Sequence, residues 1–114
     1  MTARYVPKRG DLVWLDFTPH SGHKQAGRRP AVVLSPLIYN RKTQLMLCCP
    51  ITSRVKGYPF EVSVSARTIT GVILADQIKS VDWGARHARY VGKVNPESVH
   101  AVLDRVRTLL EETT

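Results

Sequence analysis

Gly27-Arg28-Arg29-Pro30-Ala31-Val32-Val33-Leu34-Ser35-Pro36 is the stretch on which the fold turns. Its apolar centre, Ala31 to Ser35, is β-branched and short, and prolines bound it on both sides. Proline removes a ladder donor and is admitted mainly at strand ends, so the stretch reads as a buried strand. Upstream, Leu12-Val13-Trp14-Leu15-Asp16-Phe17 reads the same way after Gly10-Asp11. Downstream, Leu45 to Cys49 is a further strand closed by Pro50, and Phe60 to Val64 alternates apolar and polar as a half-buried strand does. Gly71 to Ala75, Ile78 to Trp83 and Ala88 to Val94 complete six or seven short strands divided by turn residues. That pattern predicts a mainly β protein, a small antiparallel barrel or sandwich. Two polar loops interrupt it, Thr18 to Gly27 and Thr52 to Pro59.

The C-terminus has another period. Asn95 suits a helix N-cap and Pro96 the first helical position. Val99, Val102, Leu103, Val106, Leu109 and Leu110 then form a helical stripe, which predicts a helix packed over the barrel.

The chain has 114 residues and a net charge of +8, with 17 Lys+Arg against 9 Asp+Glu. The length allows one domain over residues 1–114. Residues 1–60 hold ten basic residues and two acidic ones, Asp11 and Asp16, whereas residues 61–114 hold seven of each. The whole excess lies in the first half, which favours a polyanionic partner: nucleic acid, an acidic protein segment or an anionic membrane. No stretch approaches the ~18 apolar residues of a membrane span, and no basic amphipathic helix lies in the charged half. The N-terminus has no apolar signal core, so the cytoplasm is the default location. Cys48 and Cys49 are adjacent, would point to opposite faces of a strand, and read as free thiols. His20 and His23 are spaced H-x-x-H but lack a further ligand cluster, so no metal site is expected.

The cations gather at the two loops: Lys24, Arg28 and Arg29 close the first, and Arg54 and Lys56 lie in the second. Loops after different strands can converge at one end of a barrel and form a positive groove. There Gln25 and Gln77 could read base edges, and Phe17, Tyr58 or Trp83 could stack on bases. Trp14 and Phe60 read as core.

In sequence, Gly10 to Pro19 and Gly27 to Pro36 resemble the MazF/PemK toxin family. The resemblance continues through Cys49-Pro50-Ile51-Thr52, Lys56-Gly57-Tyr58-Pro59-Phe60-Glu61-Val62 and Ala75-Asp76-Gln77-Ile78-Lys79-Ser80, and so covers nearly the whole chain in order. It implies an SH3-like barrel with a C-terminal helix, acting as a homodimer, to whose surface the exposed apolar positions of that helix, probed at Val106 and Leu110, would contribute. It further implies a sequence-specific endoribonuclease without metal or cofactor, which cuts single-stranded RNA and halts translation. A MazE-like antitoxin with an acidic, largely disordered tail would neutralise it. Arg29 and Thr52 match the family's catalytic pair, and Lys56, Gln77, Lys79, Arg86 and Asn40 match its RNA contacts.

Metal-free cleavage uses the ribose 2′-OH as nucleophile and leaves a 2′,3′-cyclic phosphate and a 5′-OH. A guanidinium fork suits the phosphate oxygens, and the Thr52 hydroxyl can donate to the same oxygens. Arginine is not a credible general base, because it stays protonated. Many family members carry Gly-Ser-Glu-Gln in the first loop, whereas this chain reads Gly22-His23-Lys24-Gln25, with lysine in place of the carboxylate. His23, whose ordinary pKa is about 6.5, is then the candidate for proton transfer, against the alternative of a solvent-exposed loop histidine. Two rivals remain open at this level. One is a non-catalytic toxin that binds a protein target such as gyrase, as CcdB toxins do on a similar barrel. The other is an RNA-binding module without catalysis.

Overall fold

The computed structural model describes residues 4–16 and 27–112. In chain order it forms β1 (Asp11–Asp16), β2 (Arg28–Val33), α1 (Leu37–Thr43), β3 (Leu45–Thr52), β4 (Glu61–Ala66) and β5 (Ile69–Leu74). A 3-10 turn (Ala75–Gln77), β6 (Lys79–Asp82), β7 (Arg89–Lys93) and α2 (Pro96–Leu110) follow. The strands run β4-β5-β3-β2-β1-β7, with β6 also paired to β3. The neighbouring strands pair antiparallel, and the sheet curls into a half-barrel.

β3 is the strand on which the sheet turns. Its Cys48, Cys49 and Pro50 pair with Val33, Val32 and Ala31 of β2, whereas Ile51 and Thr52 pair with Ile73 and Val72 of β5. Pro50 therefore stands where β3 changes neighbours and does not end the strand as expected. Pro30 likewise lies within β2, opposite Trp14. Gly71 permits the second half of the corner, because a Cβ there would collide with the carbonyl oxygen of Thr52. The end of β3 is held against β5 by that close approach.

Alternation along the strands builds two cores on opposite faces of the sheet. Leu12, Val32, Leu34, Cys49, Ile51 and Ile73 form one, and α2 covers it with Val99, Val102 and Val106. Val13, Leu15, Ala31, Val33, Met46 and Cys48 form the other, under Trp83 and the segment of Tyr5 and Val6. The adjacent cysteines thus enter different cores, and both are free and buried. Burial pushes the Cys48 thiol up to about 11, against the opposing pull of Lys79 and Arg86. Burial, with Cys48 and Asp76 nearby, pushes Cys49 up to about 12.

Helix α2 starts as its sequence predicts: the Asn95 side chain accepts the Glu97 N–H at 2.7 Å, and Pro96 follows it. Its three buried valines each contribute about 1.5–3 kcal/mol of apolar burial. Val106 belongs to this core and is no dimer surface, whereas Leu110 is 80% exposed. Trp14 and Phe60 pack against the α2-side core, as expected. No pattern in the sequence announced α1, which is two turns long and lacks a side-chain cap at Pro36. It stops at Gln44, whose φ of 63° is left-handed. Among the described residues no helix is long and apolar enough to cross a membrane.

Candidate nucleic-acid cleft

Arg29 lies opposite Leu15 on β1, so alternation sends it to the face of Leu15 and Ala31 and away from its neighbour Arg28. On β3 the same alternation puts Pro50 and Thr52 on the face of Cys48. Arg29 and Thr52 accordingly line one open cleft of about 320 Å³, with Thr68 of the β4–β5 turn and Thr70 of β5 also in its wall. Arg29 also lines an adjoining recess with Pro50, Lys79 and Arg86. One exposed guanidinium therefore joins a hydroxyl on one side to two further cations on the other.

Local structure fixes these groups. The Thr52 Oγ1 accepts the Arg54 N–H at 3.1 Å, which orients the oxygen and leaves its hydrogen available to another acceptor. Lys79 opens β6 opposite Cys48. Arg86 belongs to a turn clamped to the end of β1: the Asp16 N–H donates to the Arg86 carbonyl at 2.9 Å, and Arg86 Nη1 donates to the Asp16 carbonyl at 3.2 Å. The same turn is tied by Asp82, whose Oδ1 accepts the Ala85 N–H at 2.8 Å and Gln44 Nε2 at 3.2 Å. The Ala85 N–H, then Gln44, holds the Asp82 carboxyl below its ordinary range.

Asp16 is already engaged. Its carboxylate lies 3.9 Å from Arg28 Nε and 2.7 Å from His87 Nδ1. His87 was not singled out in the sequence; it stands 71 residues from Asp16, and no local pattern connects them. The loop after β3 is pinned as well. Glu61 accepts the N–H groups of Lys56 at 2.9 Å and Gly57 at 2.8 Å, and Gly57 takes a φ of 85° that suits its missing side chain. The Tyr58 hydroxyl donates to Asp76 Oδ1 at 3.0 Å, a bond that raises its phenol, and Arg105 Nε donates to the Pro59 carbonyl at 2.8 Å. Lys56 and Gln77 are exposed and line neither recess.

Two expected nucleic-acid contacts are corrected. Asn40 is fully buried: it accepts the Ser35 hydroxyl at 2.6 Å and donates to the carbonyls of Pro7 at 2.8 Å and Ser35 at 3.0 Å. An amide so occupied holds α1 to the sheet and has no donor left for RNA. Trp83 is a core residue whose indole N–H donates to the Asn40 carbonyl at 2.9 Å, so it is no stacking surface. His23, Lys24, Gln25, His20 and Phe17 lie outside the described residues. Among the described residues no three His, Cys, Asp or Glu side chains gather to hold a metal ion.

The chain is thus a small β protein, a curled half-barrel that presents guanidinium, hydroxyl and ammonium groups on one open face. The model of the PemK-like, MazF-like toxins of type II toxin–antitoxin systems matches residues 8–110, and the chain belongs to this family. It is 52% identical over 110 residues to the endoribonuclease toxin MazF of Escherichia coli K12, covering 96% of this chain and 99% of that one. Its fold is similar to the crystal structure of MazF from Deinococcus radiodurans, with a TM-score of 0.84 and 50% identity over 94% of this chain and 98% of that one. It is also similar to MazF in the MazE–MazF complex from the same organism, at a TM-score of 0.82 and 44% identity over 94% and 98% of the two chains.

Proposed function

We propose that this protein is an endoribonuclease toxin that cleaves single-stranded RNA, mainly messenger RNA, by attack of the ribose 2′-OH on the adjacent phosphate. The observation that carries this is Arg29 and Thr52 meeting in one cleft from two different strands. The guanidinium forks onto two phosphate oxygens, and the Thr52 hydroxyl donates to the oxygen that gains charge. Lys79 and Arg86, across Arg29 in the adjoining recess, attract the neighbouring phosphates. Lys56, Arg28, Lys24, Gln25 and Gln77 extend the contact, the lysines toward phosphates and the glutamines toward base edges. His23 is the group assigned to proton transfer, and its test is the pH–rate profile of His23→Ala: a variant that cleaves like the parent at every pH removes it from the mechanism.

The products are a 2′,3′-cyclic phosphate and a 5′-OH. Purified protein in EDTA should cut RNA into fragments with those ends. RNA bound but left intact would replace the enzyme with a binding module, and absence of any RNA interaction would favour a toxin directed at a protein. The free buried thiols support a reducing, cytoplasmic setting.

The same cationic face suits an acidic antitoxin tail, as charge complementarity requires. The protein acts as a homodimer, and the exposed apolar residues supporting this are Ile38 and Tyr39 of α1 and Leu45 and Leu47, which alternate onto one face of β3. Leu47→Glu should halve the mass in solution; an unchanged mass would exclude this surface.

A further inference from the structure

A second cationic recess lies at the opposite end of β1 from the cleft. It measures about 450 Å³, and its lining includes Arg4, Tyr5, Lys8, Arg41, Tyr90 and Lys93. The rings of Tyr5 and Tyr90 meet with centroids 5.7 Å apart and planes tilted by 58°. Tyr90 nevertheless remains 46% exposed, so part of its ring is open to a ligand. The carboxylate in the lining, Asp11, is 2% exposed and already occupied. It accepts the Tyr5 hydroxyl at 2.6 Å, the Lys8 N–H at 3.1 Å and Lys93 Nζ at 3.2 Å. Four cations thus face one internally engaged acid, and the recess is positive.

Strand β7, last in the sheet order, runs along β1 from the side of the cleft to this recess. At the cleft end, Arg86 and His87 adjoin Asp16. Tyr90 then lies opposite Val13 and Lys93 opposite Asp11, whereas Arg89, opposite Trp14, alternates to the other face. Arg89, Tyr90 and Lys93 are exposed. The line from Asp16 to Asp11 is five strand residues long, about 17 Å, which exceeds one nucleotide. An acidic peptide would need the cations alone. An aromatic surface among them suits a partner with flat bases between its charges.

We propose that single-stranded RNA held in the cleft continues along β7 and places a flanking nucleotide in this recess, its base against Tyr90 and its phosphates against Arg4, Lys8 and Arg41. The proposal rests on the ribonuclease reading above. It makes β7 a track that selects long substrates over short ones without adding a cleavage step.

The test uses the full chain and an RNA taken from its own mapped cut sites, with a 2′-O-methyl group on the ribose at the cut so that binding is read without turnover. Two lengths are compared, one covering the cut alone and one extended on either side. The parent should bind the extended RNA more tightly than the short one. Tyr90→Ala should reduce that preference by roughly tenfold, the effect of one lost stacked base, and Tyr90→Phe should restore it. Arg41→Glu, at an exposed position away from both cores, should reduce it independently, with a shallower salt dependence. A parent that binds both lengths equally overturns the track while leaving the ribonuclease reading intact; a parent that binds neither overturns both. If the variants keep the length preference but lose affinity for a polyglutamate peptide, the recess serves an acidic protein segment and the proposal fails.

Discussion

The knot around Asn40 and the cleft around Arg29 are both polar, and both draw on β2 or the loop that leaves it. In the knot every polar group is matched. Asn40, Ser35, Trp83 and the Pro7 carbonyl exchange hydrogen bonds inside the protein. In the cleft, Arg29 and Lys79 are exposed and Thr52 keeps a hydroxyl hydrogen for an outside acceptor. The difference teaches where to look for chemistry. A polar group buried with its partners stabilises the fold, whereas an exposed donor lining a recess can also meet a ligand.

Replacing Arg29 by alanine should give the largest separation between the two regions. RNA cleavage should fall by about 10²–10³-fold, the cost of losing one preorganised donor to a charged transition state, while the melting temperature stays as in the parent. A variant that cleaves normally would remove Arg29 from the reaction. Asn40→Ala should do the reverse. It leaves Ser35 and two carbonyls without their partner and should cost about 3 kcal/mol in denaturant unfolding, with cleavage per folded molecule retained. An unchanged unfolding midpoint would contradict the structural role.

Smaller effects sharpen the same contrast. Lys56→Ala should reduce the slope of log affinity against log salt by roughly 0.7 and leave the preferred cut site unchanged. A shifted site would place Lys56 among the base-reading residues. Smallest in energy is the thiol chemistry. Burial pushes Cys48 up to about 11 and Cys49 up to about 12, so at neutral pH only a minute fraction of either is thiolate. Disulfide reagents should label neither at pH 7 to 9 in the folded protein and should label both once denaturant unfolds it. Because folding raises these pKa values above that of an ordinary thiol, the stabilising contribution is complete at neutral pH and is lost as pH rises above the unfolded-state value. Rapid labelling of the native protein at pH 7 would show that the two cores are open.

The strands were legible because period-two alternation and turn residues are local signals. The two cores follow from that alternation, and the placement of Cys48 and Cys49 in different cores follows directly. The α2 start was legible for the same reason, since Asn95 and Pro96 act within one turn. What misled the reading were residues whose role depends on distant neighbours. Pro50 resembled a strand end and is the point where β3 changes partner. Asn40 and Trp83, 43 residues apart, resembled surface readers and are bonded to each other. Asp16 and His87 gave no signal at all.

By itself, the amino-acid sequence determined the mainly β character, the C-terminal helix, the surplus of cations in the first 60 residues and the residue types needed to grip a phosphate. Only the tertiary structure decided which polar residues would be consumed by the fold. Strand alternation assigns a side chain to a face, but whether that face meets protein or water depends on what packs over it. The curl of β3 brought Thr52 round to Arg29 and left both open, and the short helix after β2 sealed Asn40 from solvent.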